Sequence, residues 1–127
     1  MRIALDTNYY IAFFRKESDA LQRVREAHEI FLPFITIAEL RSGFLYGSKS
    51  MENERRLIQF LNSPRVSILY ADEQTTNHYA RLYLQLRKQG TPIPTNDIWT
   101  AALVSQHNLF LCARDKHFDH LPQLARC

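Results

Sequence analysis

Four carboxylates from distant parts of this 127-residue sequence occupy positions from which they can meet: Asp6, Glu39, Asp97 and Asp115. Asp6 directly follows the apolar residues 3–5, and Asp115 lies just past the apolar residues 109–112. Both segments are typical of buried parallel strands. Glu39 and Asp97 each fall in the first turn of a predicted helix. Because ligands of open α/β sheets bind at the carboxyl ends of the strands, we expect all four acids to converge at that edge.

Such a cluster of acids has a definite chemistry. Four carboxylates held close together repel one another strongly, so a fold that gathers them needs a cation to offset the repulsion. Ligand sets made only of oxygen select hard divalent ions such as Mg²⁺ or Mn²⁺. Such ions stabilise charge on a phosphate under attack and generate hydroxide from bound water. The reaction that these residues predict is metal-assisted hydrolysis of a phosphodiester.

The elements that must position these acids alternate between strand and helix. We predict strands at residues 3–5, 31–34, 66–69 and 109–112. Helices are predicted at residues 9–14, 20–28, 36–47, 52–61, 72–90 and 96–105. This alternation predicts a three-layer α/β/α fold in which a central parallel sheet carries helices on both faces. The chain length fits a single domain that covers residues 1–127.

Several predicted helices carry boundary signals. The stretch Thr36-Ile37-Ala38-Glu39 has the form of a capping box, in which both end side chains bind backbone N–H groups. Ser18 or Asp19 is available to cap the second helix, while Asp72 and Gly90 mark the start and end of the longest one. Helical spacing predicts buried faces on two of the helices, formed by Leu57, Ile58 and Leu61 and by Tyr79, Leu82, Tyr83 and Leu86.

The net charge, the cysteines and the absence of long apolar runs predict the location of the protein but not its function. The formal net charge of +3 permits a polyanionic partner without requiring one. We expect Cys112 to be a buried thiol within a strand and Cys127 to lie on a frayed terminus, which suits a reducing cytoplasm. The N-terminal segment is not typical of a signal peptide, and no apolar run approaches the roughly 20 residues of a membrane span. We therefore expect a soluble cytoplasmic protein without membrane partners.

The sequence around each acid resembles one of the four acidic motifs of PIN domains. These segments are Leu5-Asp6-Thr7-Asn8, Thr36-Ile37-Ala38-Glu39-Leu40 with Gly43, Asn96-Asp97-Ile98-Trp99-Thr100-Ala101-Ala102 and Arg114-Asp115-Lys116-His117-Phe118. They occur in the family's order and span nearly the whole chain, whose length is similar to that of VapC-type toxins. One position departs from the family pattern, since Ala113 stands where Thr or Ser commonly precedes the fourth acid by two residues.

The resemblance implies a Mg²⁺- or Mn²⁺-dependent endoribonuclease that is the toxin of a toxin–antitoxin pair. It further implies a homodimer that is held inactive by a small antitoxin in the active-site groove. The implied metal-binding and catalytic residues are Asp6, Glu39, Asp97 and Asp115. Polar neighbours that can orient ligands or waters are Thr7, Asn8 and Asn96. Basic residues that can contact RNA phosphates are Arg15, Arg41, Arg114 and Lys116, although a solvated charge explains each of them individually.

Other interpretations exist for individual residues. Taken alone, Asp6, Glu39 and Asp97 could cap or polarise helices, and Asp115 could be a turn residue. His117 fits a basic surface turn about as well as a general base or a metal ligand, and we leave it outside the predicted site. The aromatic residues of the first helix could stack on bases, but packing in the core or a dimer interface is favoured: Tyr9, Tyr10, Phe13 and Phe14.

Two other functions compete with a nuclease. A phosphatase of the haloacid-dehalogenase type would use Asp6 as a nucleophile, but such enzymes carry a second Asp two residues later, where this chain has Asn8. A non-catalytic module could keep the fold and bind RNA or a protein. Clustered acids disfavour this alternative, because negative charge weakens binding to a polyanion.

Overall fold

The structure is a computed structural model that describes residues 1–127, and it contains four strands, six α-helices and one 3₁₀ helix. The strands are β1 (Arg2–Leu5), β2 (Glu29–Pro33), β3 (Val66–Leu69) and β4 (Phe110–Cys112). The helices are α1 (Thr7–Phe14), α2 (Ser18–Glu26), α3 (Phe34–Tyr46), α4 (Ser50–Leu61), α5 (Glu73–Gln89), α6 (Thr95–Gln106) and the 3₁₀ helix Lys116–His120. None of the helices is both long and apolar enough to cross a membrane.

The four strands form one parallel sheet in the order β3-β2-β1-β4. Strand β1 lies in the interior of the sheet, where Ile3 pairs with Ile30 of β2 on one side and with Phe110 of β4 on the other. Leu5 at the end of β1 pairs with Cys112 at the end of β4. The segments that follow β1 and β4 therefore leave the same edge of the sheet side by side.

Two separate hydrophobic cores cover the two faces of the sheet. Successive side chains of a strand point to opposite faces, and β1 shows this clearly. Ile3 and Leu5 pack against α1 to α4, whereas Ala4 between them packs against α5 and α6. Leu111 and Cys112 of β4 divide between the two cores in the same way. The prediction of a three-layer α/β/α fold is therefore confirmed.

The start of α3 differs from the predicted capping box. The helix begins at Phe34 with Pro33 at its N-cap, so Glu39 lies in the second turn and makes no capping bond. Thr36 is fully buried, and its hydroxyl donates to the carbonyl oxygen of Leu5 at 3.0 Å. A buried hydroxyl needs a partner, and the end of β1 provides one. This bond ties α3 to β1 at the carboxyl edge of the sheet.

The predicted caps of the other helices had mixed outcomes. Helix α2 begins at Ser18, but Glu17 occupies its N-cap without a side-chain bond, so neither Ser18 nor Asp19 caps it. Asp72 caps α5 as predicted, because its Oδ1 accepts the N–H of Thr75 at 3.1 Å. Gly90 ends that helix in the left-handed conformation, with φ of 72°. That conformation favours glycine, which explains the sharp end of α5.

The predicted buried faces are narrower than expected. Leu82 and Leu86 of α5 are buried, but Tyr83 is 46% exposed and stacks on the half-buried Tyr79 at a ring distance of 6.3 Å. In α4, Leu57 is buried while Ile58 is 46% exposed. Adjacent helical residues point about 100° apart. A helix that packs on only one neighbouring layer therefore buries one of each pair and exposes the other.

The predicted free cysteines and frayed C-terminus are wrong. Cys112 and Cys127 form a disulfide, with their Cα atoms 5.1 Å apart. The last residues return beside β4, where the N–H of Leu111 donates to Ala125 at 2.8 Å and the N–H of Cys127 donates to Leu111 at 3.1 Å. The sequence pattern of residues 109–112 indicates a buried strand but carries no information about which segment lies alongside it.

We predict that the variant Cys127→Ser is less stable than the oxidised protein. The disulfide spans 15 residues, and closing a loop of that size stabilises the fold by about 3 kcal/mol, because it restricts the unfolded chain. Urea unfolding with and without a reducing agent measures the difference. The reduced wild type and the variant should unfold at the same urea concentration, below that of the oxidised protein. Identical midpoints in all samples would show that the bond does not form.

Candidate active site

Asp6 stands at the junction between β1 and α1. Its backbone N–H donates to the carbonyl oxygen of Cys112 at 3.0 Å, which extends the pairing of β1 with β4 by one residue. Its carbonyl oxygen accepts the N–H of Tyr10 at 3.0 Å, which starts α1. The side chain is only 5% exposed and makes no capping bond. The carboxylate of Asp6 is therefore held by backbone on both sides while its oxygens remain available to a ligand.

Asp97 lies in the first turn of α6. Pro94 forms the N-cap of this helix in an extended conformation, and its carbonyl oxygen accepts the N–H of Asp97 at 3.0 Å. The buried side chains of Ile98 and Ala101 anchor the same turn in the core beneath the sheet. Asp97 itself is 8% exposed. Like Asp6, it does not cap its helix, since α6 has no side-chain cap.

Asp115 and His117 lie on the tight segment that follows β4. The carboxylate of Asp115 accepts the N–H of His117 at 2.9 Å and so caps the 3₁₀ helix. The fully buried Phe118 fixes this short helix to the core. The His117 ring lies with Nδ1 2.8 Å from Asp97 Oδ2 and 2.9 Å from Asp115 Oδ1. One ligand atom from each of these three residues falls within 4.8 Å of the other two.

His117 is the residue of this cluster that the sequence prediction leaves out. Its turn is present as predicted, but Nδ1 of its ring contacts two of the four acids. The spacing in the sequence contains a partial signal. A residue two positions after a capping Asp necessarily lies close to that carboxylate, because the cap bond joins them.

Glu39 reaches the cluster from α3, where it is half-buried. The hydroxyl of Thr7 donates to its Oε1 at 2.7 Å, and the side-chain amide of Asn96 lies 3.5 Å from its Oε2. Thr7 is adjacent in sequence to Asp6, and Asn96 to Asp97. These two predicted polar neighbours thus connect Glu39 to the segments that carry the other acids. The third, Asn8, is exposed and makes no side-chain hydrogen bond.

The electrostatics of the cluster show the effect of burying like charges. The pKa of Asp6 is raised to about 6, chiefly by burial; the charges of Asp97, Glu39 and Asp115 contribute to this rise, and the backbone bond from Thr7 opposes it. Burial also raises the pKa of Asp97, where the bond from His117 acts in the opposite direction. The bond to Asp97 in turn raises the pKa of His117. The protein's own groups therefore do not neutralise this site fully.

The basic residues predicted to contact phosphate occupy different surroundings. Arg41 forms a bidentate pair with Glu54 at 2.9 and 3.0 Å, and Arg114 binds Glu17 and Asp19 at 2.5 and 2.9 Å. Arg15 is exposed beside a cleft of about 380 Å³ that includes Thr7 and Glu39 in its walls. Lys116 is exposed and forms no ion pair. No lysine or arginine pairs with any of the four acids.

The aromatic residues of α1 pack as the favoured interpretation predicts. Tyr9 and Tyr10 are buried in the core on the helical face that α1 to α4 cover. Phe13 and Phe14 are half-buried and surround Phe60 of α4 at ring distances of 5.5 and 5.8 Å. These rings therefore stabilise the helical layer and are engaged with one another instead of lying free for base stacking.

The donor set of the cluster fits a divalent cation. Oxygen atoms come from three segments at one sheet edge, their charge is uncompensated by lysine or arginine, and Asp6 and Asp97 make no capping bonds that a cation would break. Carboxylate oxygens are the usual protein ligands of hard divalent ions. The side chains whose ligand atoms lie close enough to share one ion are Asp97, Asp115 and His117. Asp6 lies near enough for the charges of Asp97, Glu39 and Asp115 to raise its pKa, and Glu39 is linked to the cluster by the bonds to Thr7 and Asn96.

Comparison with known proteins places the chain in a family. The PIN domain profile matches residues 3–124. Ribonuclease VapC1 of Haemophilus influenzae strain R2866 is 33% identical over 125 residues, which cover 94% of this chain and 92% of that protein.

Solved structures with the same fold come from toxin–antitoxin complexes. The structure of VapBC-1 from nontypeable Haemophilus influenzae matches all of this chain and 97% of its own chain, with a TM-score of 0.87 and 30% identity. VapBC2 from Rickettsia felis, bound to a DNA fragment from its promoter, matches all of this chain and 98% of its own, with a TM-score of 0.87 and 25% identity. With a profile match over nearly its whole length and a VapC relative above 30% identity, the chain belongs to the PIN domain family and is of the VapC type.

Proposed function

We propose that this protein is a metal-dependent endoribonuclease and the toxin of a toxin–antitoxin pair. The observation that carries the proposal is the convergence of carboxylates on one sheet edge, without a lysine or arginine partner, in a chain of the PIN domain family. Its curated relatives are named as ribonucleases. The whole of residues 1–127 serves this function as one domain.

The proposed catalytic residues are Asp6, Glu39, Asp97 and Asp115. We assign them to hold one or two ions of Mg²⁺ or Mn²⁺, directly or through water. When bound, such ions would lower the pKa of water to give a nucleophilic hydroxide and would offset the charge that develops on the phosphate. An activated water is the proposed nucleophile, so no side chain has to attack the phosphate. The reaction therefore needs no covalent intermediate on the protein.

Polar neighbours of the acids keep the ligands in place. Thr7 holds one oxygen of Glu39 at 2.7 Å, which restricts the rotation of that side chain. Asn96 approaches the other oxygen from α6. Asn8 is exposed next to Thr7, and we assign it to water or substrate instead of to another side chain. Outer groups that orient ligands commonly affect metal affinity by about 10- to 100-fold.

Basic residues near the acids are suited to hold the RNA backbone. Arg15 and Lys116 are exposed and free of ion pairs, so they can bind phosphate without breaking an existing contact. Arg41 and Arg114 are also proposed to contact RNA, but each must exchange its carboxylate partners for phosphate. These residues position the substrate without determining which sequence is cut.

The partner proposed for the protein is a small antitoxin. Solved relatives are VapBC complexes, and the cleft beside Glu39 offers both apolar and charged groups to a partner segment. Its walls are formed by Thr7, Tyr10, Ile11, Phe14, Arg15, Glu39, Leu40, Gly43, Phe44, Asn53 and Arg56. A segment bound there lies next to the acids and blocks access of RNA to them. We further propose a homodimer that acts in the cytoplasm.

We predict that Asp97→Asn abolishes metal-dependent RNA cleavage. Removing one anionic ligand weakens the charge stabilisation that the ions supply, which is worth several kcal/mol, so the rate should fall by about 100-fold or more. The measurement is cleavage of a mixed RNA pool by purified protein with Mn²⁺, with Mg²⁺ and with EDTA. Asp119→Asn is the control, because Asp119 is an exposed carboxylate on the 3₁₀ helix that follows Asp115 and pairs with Arg126 instead of with the acidic cluster. Equal cleavage by both variants would place the activity elsewhere or in a contaminant.

We also predict that Asp6→Asn stabilises the metal-free protein above pH 6. The pKa of Asp6 rises from 3.8 to about 6 on folding, so the folded state favours the protonated form. The stability that the folded protein gains from binding this proton is fully present below pH 4, and it is lost as the pH rises through about 6. The asparagine variant should therefore gain up to ~3 kcal/mol at pH 7 and almost nothing at pH 3.5.

Urea unfolding at several pH values in EDTA tests this prediction, with Asp119→Asn again as the control. Addition of Mn²⁺ should stabilise the wild type more than the Asp6→Asn variant, because the ion offsets the same repulsion. If Asp6→Asn were less stable than wild type at pH 7 without metal, the charged Asp6 carboxylate would not destabilise the fold, and the prediction would be wrong.

A further inference from the structure

We propose that His117 is a nitrogen ligand of the divalent-ion site and makes that site prefer Mn²⁺ to Mg²⁺. The inference rests on the proposed function, since it concerns the same ion. It adds a residue outside the four acids and assigns a metal preference that oxygen ligands alone do not determine.

The spacing of the ligand atoms supports direct coordination. Neighbouring ligands of an octahedral ion with bonds of 2.0–2.1 Å lie about 2.9 Å apart. His117 Nδ1 lies 2.8 Å from Asp97 Oδ2 and 2.9 Å from Asp115 Oδ1. His117 Nδ1 thus already has the spacing of a neighbouring ligand to each carboxylate, and ligand atoms of the three residues lie within 4.8 Å of one another. Binding of an ion would replace the hydrogen bond of Nδ1 with Asp97 and its ion pair with Asp115 by coordination.

The His117 ring is held where it can act as a ligand. The bond from its own backbone N–H to Asp115 Oδ1 fixes the residue relative to that carboxylate. The next residue, Phe118, is completely buried, and Leu121 one turn later is 1% exposed. The side chain of His117 is 44% exposed, so an ion can reach Nδ1 from solvent. The backbone is therefore rigid while the ligand atom is accessible.

No other basic side chain competes for this position. Arg114 forms ion pairs with Glu17 and Asp19, and Arg126 forms an ion pair with Asp119. Lys116, the immediate neighbour, forms no ion pair with the acids. His117 is thus the one basic side chain within ion-pair distance of the four acids. A nitrogen ligand placed among carboxylates points to a cation that accepts both donor types.

The chemistry of the donors leads to the preference for Mn²⁺. Mg²⁺ is a hard ion that takes oxygen ligands and keeps several waters. Imidazole suits the transition ions Fe²⁺, Ni²⁺, Cu²⁺ and Zn²⁺ best, and Mn²⁺, as a transition ion that also takes carboxylates, accepts an imidazole more readily than Mg²⁺ does. Loss of the imidazole should therefore weaken the binding of Mn²⁺ more than that of Mg²⁺. We expect His117→Ala to reduce Mn²⁺ affinity by about 10-fold or more, in the range typical of groups that tune metal sites, and to change Mg²⁺ affinity by a smaller factor.

The test is electron paramagnetic resonance of Mn²⁺ added to the metal-free protein. The signal of free Mn²⁺ measures affinity, competition by Mg²⁺ measures selectivity, and electron spin echo modulation detects nitrogen bound to the ion. The samples are wild type, His117→Ala and His120→Ala, in which an exposed histidine of the same 3₁₀ helix is removed. Circular dichroism of each variant establishes that it is folded.

The expected result is nitrogen modulation in wild type and His120→Ala and its loss in His117→Ala, together with a reduced preference for Mn²⁺. Tight Mn²⁺ binding without nitrogen modulation in the wild type would overturn the role of His117 and leave the carboxylate site intact. Absence of any Mn²⁺ binding by the wild type would overturn both this inference and the metal-dependent function.

Discussion

The mutual repulsion of buried carboxylates is the constraint on which the rest of this structure depends. Asp6 and Asp97 are almost inaccessible to solvent, and burial raises the pKa of both. Neither pairs with a lysine or arginine, and only His117 offers a compensating group. Charges in such surroundings separate unless the backbone holds them or a cation joins them. The fold supplies the first of these conditions, and the proposed ions supply the second.

Three ties at the carboxyl edge of the sheet hold the backbone against this repulsion. The N–H of Asp6 joins β1 to β4, the hydroxyl of Thr36 joins α3 to β1, and the disulfide joins β4 to the last residue of the chain. Each tie lies within a few residues of an acid. The charged edge is therefore supported on a rigid sheet with a dense core on both faces. Functional sites often keep such unfavourable local energies, because the ligand relieves them.

The polar residues around the acids have two distinct tasks. Thr7 and Asn96 bind Glu39, and each is adjacent in the sequence to another acid, Asp6 or Asp97. Each of these short segments therefore contains one proposed ligand and one residue that orients Glu39. The basic residues near the acids also fall into two groups, those with and those without a carboxylate partner. Arg41 and Arg114 stabilise surface segments through carboxylates, while Arg15 and Lys116 remain free. A protein with a modest net charge of +3 can thus present positive groups to RNA beside an acidic centre.

Local patterns in the sequence determined the order of the elements, the parallel sheet, the cap at Asp72 and the acids at strand ends, because hydrophobic periodicity and capping depend on residues close together in the chain. Only the tertiary structure decided three other features. Thr36 bonds to Leu5 instead of forming a capping box, the His117 ring lies between Asp97 and Asp115, and Cys127 reaches Cys112. The bonds of Thr36 to Leu5, of His117 to Asp97 and of Cys127 to Cys112 each join segments that are far apart in the sequence. Local patterns do not reveal these partners, because a polar group takes whichever partner the packed fold places within reach.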